Sequence, residues 1–289
     1  MKKYFILVLI AIFGLVFLIL GFNNQPKNPK QDFHIIDLPI TPKEIEDSFS
    51  QTASFSKLEK VKIKGGIVPH HIPETAYLLA SFYRELASQS PEAKRVIILG
   101  PSHDNKSRAP IAISRQRFIG LGVTVLIDEE VTEDLIKKGV VSHNEEGFVG
   151  EHSITSQLPF LLHEFPNIKI VPIIFRYDVK KERLNSFAKT LFQIWDEKTI
   201  ILVSTDLSHG LTKEKARQED EKTVKILEKL DANSLWKTKT DFYPGLYVFL
   251  NAVKNFPSIE TQVLKVTNSG ELNPQFIRTT GYALMLFYL

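Results

Sequence analysis

The sequence predicts a single α/β domain with a central mixed, mostly parallel sheet flanked by helices, and three observations carry that expectation. Short runs of β-branched residues alternate with helix-length amphipathic stretches from about residue 34 to the C-terminus, the pattern of strands wrapped by helices. The composition, 43% hydrophobic and 24% charged, is that of a chain able to build a core. Three strand-like runs also empty into histidine: residues 62–68 into Pro69-His70-His71, residues 96–99 into Gly100-Pro101-Ser102-His103-Asp104, and residues 200–203 into Ser204-Thr205-Asp206-Leu207-Ser208-His209. Parallel strands would bring those ends to one edge, where open α/β sheets place their sites.

In chain order, residues 42–49 read as a short helix, with Thr41 as N-cap and Pro42 at the first helical position. After the strand at 62–68, residues 74–89 carry Tyr77, Leu78, Phe82 and Leu86 on one helical stripe. The strand at 96–99 is followed by short strands at 109–114 and 123–127, then a helix at 132–138 stopped by Gly139. Residues 154–165 read as one helix with Ser153 as its N-cap, 168–175 as a strand and 181–195 as a helix. Beyond the strand at 200–203 come helices at 213–230 and 247–254, then strands at 261–266 and 281–289.

The N-terminus adds a separate expectation. Met1-Lys2-Lys3 precedes an uncharged apolar run from Tyr4 to Phe22, long enough to cross a bilayer as a helix. No small-residue cleavage site follows it. The expected organisation is an N-terminal transmembrane helix over 1–22, a polar linker over 23–33 and the α/β domain over 34–289. The two lysines favour an inside N-terminus and an extracytoplasmic body. Lys and Arg number 36 against 33 acidic residues, with no dense basic stripe, so nucleic acid is not an expected partner. The absence of cysteine removes disulfides, thiolate metal sites and cysteine nucleophiles.

Imidazole suits divalent iron, zinc, copper and nickel, and two histidines with one carboxylate leave positions open for substrate. His70 and His103, each at a strand end, are the preferred metal pair. His71 is expected to face away, because neighbours in an extended segment alternate sides. Asp206 either orients His209 as an acid/base group or caps the loop into the next helix. His152, at the mouth of the expected helix in Gly150-Glu151-His152-Ser153, either donates to a substrate or holds the loop. His34, His143 and His163 lack comparable context, and no nucleophile elbow surrounds Ser102.

Four segments together resemble the Memo-like family, whose bacterial and archaeal members are called AmmeMemoRadiSam system protein B. They are Pro69-His70-His71, Gly100-Pro101-Ser102-His103, Gly150-Glu151-His152-Ser153-Ile154 with Leu158-Pro159-Phe160, and Ser204 to His209. The resemblance implies a fold similar to the catalytic subunit of class III extradiol dioxygenases, which use non-haem Fe(II). It implies metal binding by His70 and His103, with Glu271 supplying a third, carboxylate ligand where animal relatives have cysteine. It further implies an acid/base role for His209 and a pocket role for His152. The implied cofactor is a divalent metal, Fe(II) foremost, with copper or zinc as alternatives. The implied partners are a small-molecule or peptide ligand, a radical SAM protein and an AMMECR-type protein. Two functions are open at this point: a dioxygenase-like oxidoreductase, and a non-catalytic metal- or peptide-binding module of the same fold.

Overall fold

The computed structural model describes residues 32–52, 55 and 60–289. The strands are β1 (Phe33–Ile35), β2 (Ile63–Val68), β3 (Arg95–Pro101), β4 (Ile111–Ile113), β5 (Arg117–Gly120), β6 (Val123–Ile127), β7 (Ser142–His143), β8 (Lys169–Phe175), β9 (Thr199–Ser204), β10 (His209–Leu211), β11 (Glu260–Asn268) and β12 (Thr279–Tyr288). The helices are α1 (Pro42–Ser50), α2 (Ala76–Gln89), α3 (Glu129–Lys137), α4 (His152–Thr155), α5 (Leu158–Glu164), α6 (Lys181–Ile194), α7 (Lys213–Glu228), α8 (Tyr243–Val253) and α9 (Ser269–Leu272). Short 3-10 turns lie at Glu145–Phe148 and Ala232–Lys237.

The strands join in the order β1-β5-β6-β8-β3-β9-β2-β12-β10, with β11 on β12, β4 on β8 and β7 on β4. The middle four, β8, β3, β9 and β2, are parallel, and β12 closes on β2 and β11 antiparallel. These middle strands read as unbroken apolar runs because both faces of the sheet are covered. Alternate residues enter different cores. Ile97, Leu99, Ile201 and Val203 pack with Phe187 and Leu191 of α6 and Leu246 and Phe249 of α8. Val96, Ile98, Ile200 and Leu202 pack with Leu79 and Phe82 of α2 and Phe160 of α5. The carboxyl ends of β2, β3 and β9 therefore lie side by side, which sets up the site.

Several elements match the sequence expectation, and the differences have local causes. Thr41 caps α1 in a reciprocal box with Glu44, the arrangement that satisfies two otherwise free N–H groups. The helix expected over 154–165 is two helices. Pro159 in the first turn of α5 has no N–H to continue the α4 ladder, and Ser156 and Gln157 form the break. Gln157 is buried there, donating to Pro69 O and Ser204 Oγ and accepting from Tyr83. Glu151, not Ser153, caps α4, its side chain accepting from the Ser153 N–H. α3 starts at Glu129 because Asp128 caps it, and α8 starts at Tyr243 with Pro244 in its first turn. β1, β5 and β10 are too short to show a period in the sequence.

The expected transmembrane helix requires correction. Its residues, 1–22, lie outside the described residues, and among the described residues no helix is long and apolar enough to cross a membrane. The anchor, the membrane partnership and the extracytoplasmic localisation built on it are withdrawn as features of this fold.

β1 is held by a partly buried carboxylate. Glu145 accepts from or pairs with His34 Nε2 at 2.7 Å, Ser114 Oγ at 2.5 Å, the Arg115 N–H at 2.8 Å and His143 Nε2 at 2.7 Å. Burial would raise its pKa, but these contacts outweigh it and bring the carboxyl down to about 2. A depressed carboxyl stabilises the fold above its unfolded value, near 4.5, and loses that contribution as pH falls toward about 2. Glu145→Gln is accordingly expected to cost about 2 kcal/mol at pH 7, measured by urea unfolding. The gap from the parent should narrow below pH ~4.5.

Candidate metal centre

His70 follows β2 directly after Pro69 and is buried. Its backbone N–H donates to Asp206 Oδ1 at 3.1 Å, and its Nδ1 lies 3.3 Å from Ser204 Oγ. The Ser204 hydroxyl donates to Ser153 O at 2.6 Å, so it can only accept from the ring. The Nδ1 proton is thereby placed, and Nε2 is left bare in the neutral imidazole. His103 lies just past β3. Its Nδ1 donates to Glu151 Oε1 at 2.8 Å, which leaves its Nε2 bare in the same way.

Both free nitrogens face Asp241, in the turn before α8. Asp241 Oδ1 is occupied, accepting from Thr205 Oγ1 at 2.8 Å and from the Asp206 N–H at 3.1 Å. Asp241 Oδ2 is buried and accepts no well-formed hydrogen bond. It lies 3.1 Å from His70 Nε2 and 3.8 Å from His103 Nε2. A carboxylate oxygen against two imidazole lone pairs requires a positive charge between them, a proton or a cation. His152, the first residue of α4, stacks on His103 with centroids 4.2 Å apart and meets His70 edge-on at 5.2 Å.

Two overlapping groups of donors result, each with its ligand atoms within 4.8 Å of one another: His70, His103 and His152, and His70, Asp206 and Asp241. The electrostatics follow from these contacts. Burial alone would lower the His103 pKa, but the adjacent Asp241 and Glu151 carboxylates overcome it and raise it to about 10. His70 is also raised, since Asp206 and Asp241 outweigh its burial. His152 moves the other way, to about 4, through burial and repulsion from His70 and His103. Asp241 is held well below the usual carboxylate range by the same two imidazoles, against its burial. Asp206 is raised by burial despite the nearby His70 charge.

A cavity of about 170 Å³ opens beside the cluster, lined by Ser102, His103, Lys106, Gly150, Glu151 and His152. It is comparable to an apolar cavity of about 150 Å³ that accepts benzene, and so has room for a single-ring molecule. Burial, helped by the Asp241 and Glu151 charges, pushes the phenol of half-exposed Tyr177, just past β8, up to about 12.

The expected residues separate into two sets. His70, His103, His152 and Asp206 come together. His209 lies on β10, is exposed, makes its ring hydrogen bond to Leu207 O at 3.0 Å and joins neither group. Glu271 is engaged elsewhere, with Arg217 Nε at 3.0 Å and Thr267 Oγ1 at 2.9 Å, and also joins neither group. His71 pairs with the Tyr282 hydroxyl at 2.9 Å, beside the cis Ile72–Pro73 bond. Asp241 and the orienting role of Glu151 were missed. Glu151 stands in the same short motif as His152, and a carboxylate next to a candidate ligand is the signal that could have found it. Asp241 offers only a Thr-Asp pair before a helix, the ordinary signature of a cap.

An α/β domain that gathers imidazoles and carboxylates at the carboxyl edge of parallel strands defines a class, the proteins with a candidate metal site at the sheet edge. Within that class the chain belongs to the Memo family: the family model described as Memo-like protein matches residues 39–286. It is 26% identical to a MEMO1 family protein of Aquifex aeolicus over 264 residues, covering 86% of this chain and 95% of the relative. A MEMO1 family protein of Methanosarcina acetivorans is 25% identical, covering 86% and 94%. One from Pyrobaculum aerophilum is 29% identical, covering 78% and 83%. Among solved structures, an uncharacterized protein from Escherichia coli K12 aligns over 78% of this chain and 99% of its own, at 12% identity and a TM-score of 0.49.

Proposed function

We propose that the protein binds one divalent metal ion, Fe(II) foremost, through His70 Nε2, His103 Nε2 and Asp241 Oδ2, and acts as a dioxygenase-like oxidoreductase on a small single-ring substrate. The observation that carries the reading is the buried, unpartnered Asp241 oxygen aimed at two bare imidazole nitrogens. Two histidines and a carboxylate with open positions are the donor set of non-haem Fe(II) oxygenases. Such a metal supplies a Lewis-acidic, redox-active centre. The chain's own residues do the rest. His152, neutral at pH 7 and bordering the cavity, accepts a proton from a substrate hydroxyl. Asp206 orders the Asp241 turn through its backbone N–H and His70 through its carboxylate.

Anaerobic loading with Fe(II), followed by oxygen uptake over a panel of catechols, tests the reading. One equivalent of metal is expected, lost in His70→Ala and in His103→Ala. His152→Ala should retain the metal and lose turnover, whereas His209→Ala should keep both. Metal bound without turnover on any substrate would favour the non-catalytic binding module. No metal above background would overturn the metal reading in both its catalytic and its non-catalytic form.

Proton linkage gives a separate expectation. With the His103 pKa raised to about 10, the metal-free protein carries that proton at pH 7 and must release it on binding. Affinity should therefore fall as pH is lowered, through competition between proton and metal for Nε2. Calorimetry in buffers of different ionisation enthalpy should report release of about one proton or more per metal.

A further inference from the structure

Glu151 is buried, and its carboxylate is spent almost entirely on one residue. Oε2 accepts the backbone N–H of His103 at 2.8 Å, and Oε1 accepts the ring Nδ1–H of the same residue at 2.8 Å. Oε1 also accepts the Ser153 N–H at 2.8 Å. Both the main chain and the ring of His103 are thus gripped by a single anion. Asp206 Oδ1 accepts the backbone N–H of His70 at 3.1 Å, but no anion accepts from its ring Nδ1. Its Nδ1 meets a neutral hydroxyl, Ser204 Oγ, at the longer distance of 3.3 Å. The two histidines occupy like positions past the ends of β2 and β3, which flank β9 in the sheet, and are supported unequally.

Resting on the metal reading above, we propose that Glu151 is a positioning residue that locks the His103 tautomer and makes its Nε2 the stronger of the two nitrogen donors. An anion accepting the Nδ1 proton polarises the ring and increases electron density at Nε2, and it removes the ring flip that would turn Nε2 away. A hydroxyl at 3.3 Å does much less. Glu151 also caps α4, whose first residue is His152, and its Oε1 lies 4.0 Å from His152 Nδ1. The same carboxylate that holds the ligand therefore places the cavity histidine beside it.

Glu151→Gln in the full chain is the test, because it keeps the shape while replacing one acceptor oxygen by a donor. Zn(II) affinity, measured by competition with a chromogenic chelator, is expected to fall 10- to 100-fold, the range for loss of a partner behind a ligating histidine. Ser204→Ala should change affinity less than about 3-fold, following the weaker contact. In Co(II)-loaded protein the visible absorption bands should shift in Glu151→Gln and stay in place in Ser204→Ala. A folded Glu151→Gln protein with parent-like affinity and an unchanged Co(II) spectrum would overturn the proposal. Should that variant not fold, the parent protein still decides. Its His103 Nδ1 proton must exchange slowly with solvent by NMR, and fast exchange would contradict the grip. If the parent binds no metal, the reading beneath the proposal fails, while the same exchange measurement continues to judge the Glu151 contact alone.

Discussion

Asp241→Ala is expected to abolish tight metal uptake, with a loss exceeding the roughly 100-fold that marks the upper end for outer partners of a metal site. Asp241 supplies the carboxylate oxygen that stands 3.1 Å and 3.8 Å from the free nitrogens of His70 and His103. Without it the histidines face each other with no anion between them. The same change acts on the metal-free protein. His70 and His103 are raised against their burial partly by Asp241, and the Thr205 hydroxyl and Asp206 N–H both donate to it. Removing one member of a buried charge pair typically costs about 3–5 kcal/mol. The half-buried side of His103 should soften that toward the lower end. Elemental analysis and thermal melts at pH 7 check the two parts. Asp241→Asn should recover much of the stability and little of the metal.

Gly65→Ala is expected to be a strongly damaging one-carbon change in the centre of the sheet. Gly65 sits in β2 opposite Ile201 of β9 on one side and Phe287 of β12 on the other. A Cβ there would lie 2.4 Å from Ile201 O and 2.8 Å from Phe249 Cε2. The nearer neighbour is main chain in a central strand that is paired on both edges, so it cannot step aside as a side chain would. A cost of about 3 kcal/mol is expected, the upper end for overpacking. At roughly 2–4 °C per kcal/mol for a chain of this size the melting midpoint should fall by about 6–12 °C. The disturbance also reaches function, because Val68 leads straight into His70. Metal affinity should fall in a protein that still folds at low temperature.

How far the site could be read from the residues depends on what each was doing. The strands at 62–68, 96–99, 168–175 and 200–203 were visible because burial on both faces demands unbroken apolar runs. His70 and His103 were visible because they stand at the ends of those runs. His209 stands after the same kind of run, yet the four residues before it turn the chain aside. Leu207 N–H donates to Gly281 O, and Gly281 N–H donates to Ser208 O, capturing the loop onto β12 and carrying His209 out along β10. Nothing local in Ser204 to His209 announces a partner some 70 residues later. Asp241 was hidden for the converse reason. It lies on no strand, and it reaches the centre because Thr205 and the Asp206 main chain hold its other oxygen. Glu271 was expected from loop order before the last strand, and Arg217 on α7 holds it away from both donor groups.

The most direct test of the metal reading is anomalous diffraction from crystals loaded with Zn(II) or, anaerobically, with Fe(II). One strong peak about 2 Å from His70 Nε2, His103 Nε2 and Asp241 Oδ2 is the expected result. A peak ligated by Glu271 or His209, or none at the carboxyl edge of β2 and β3, would contradict it.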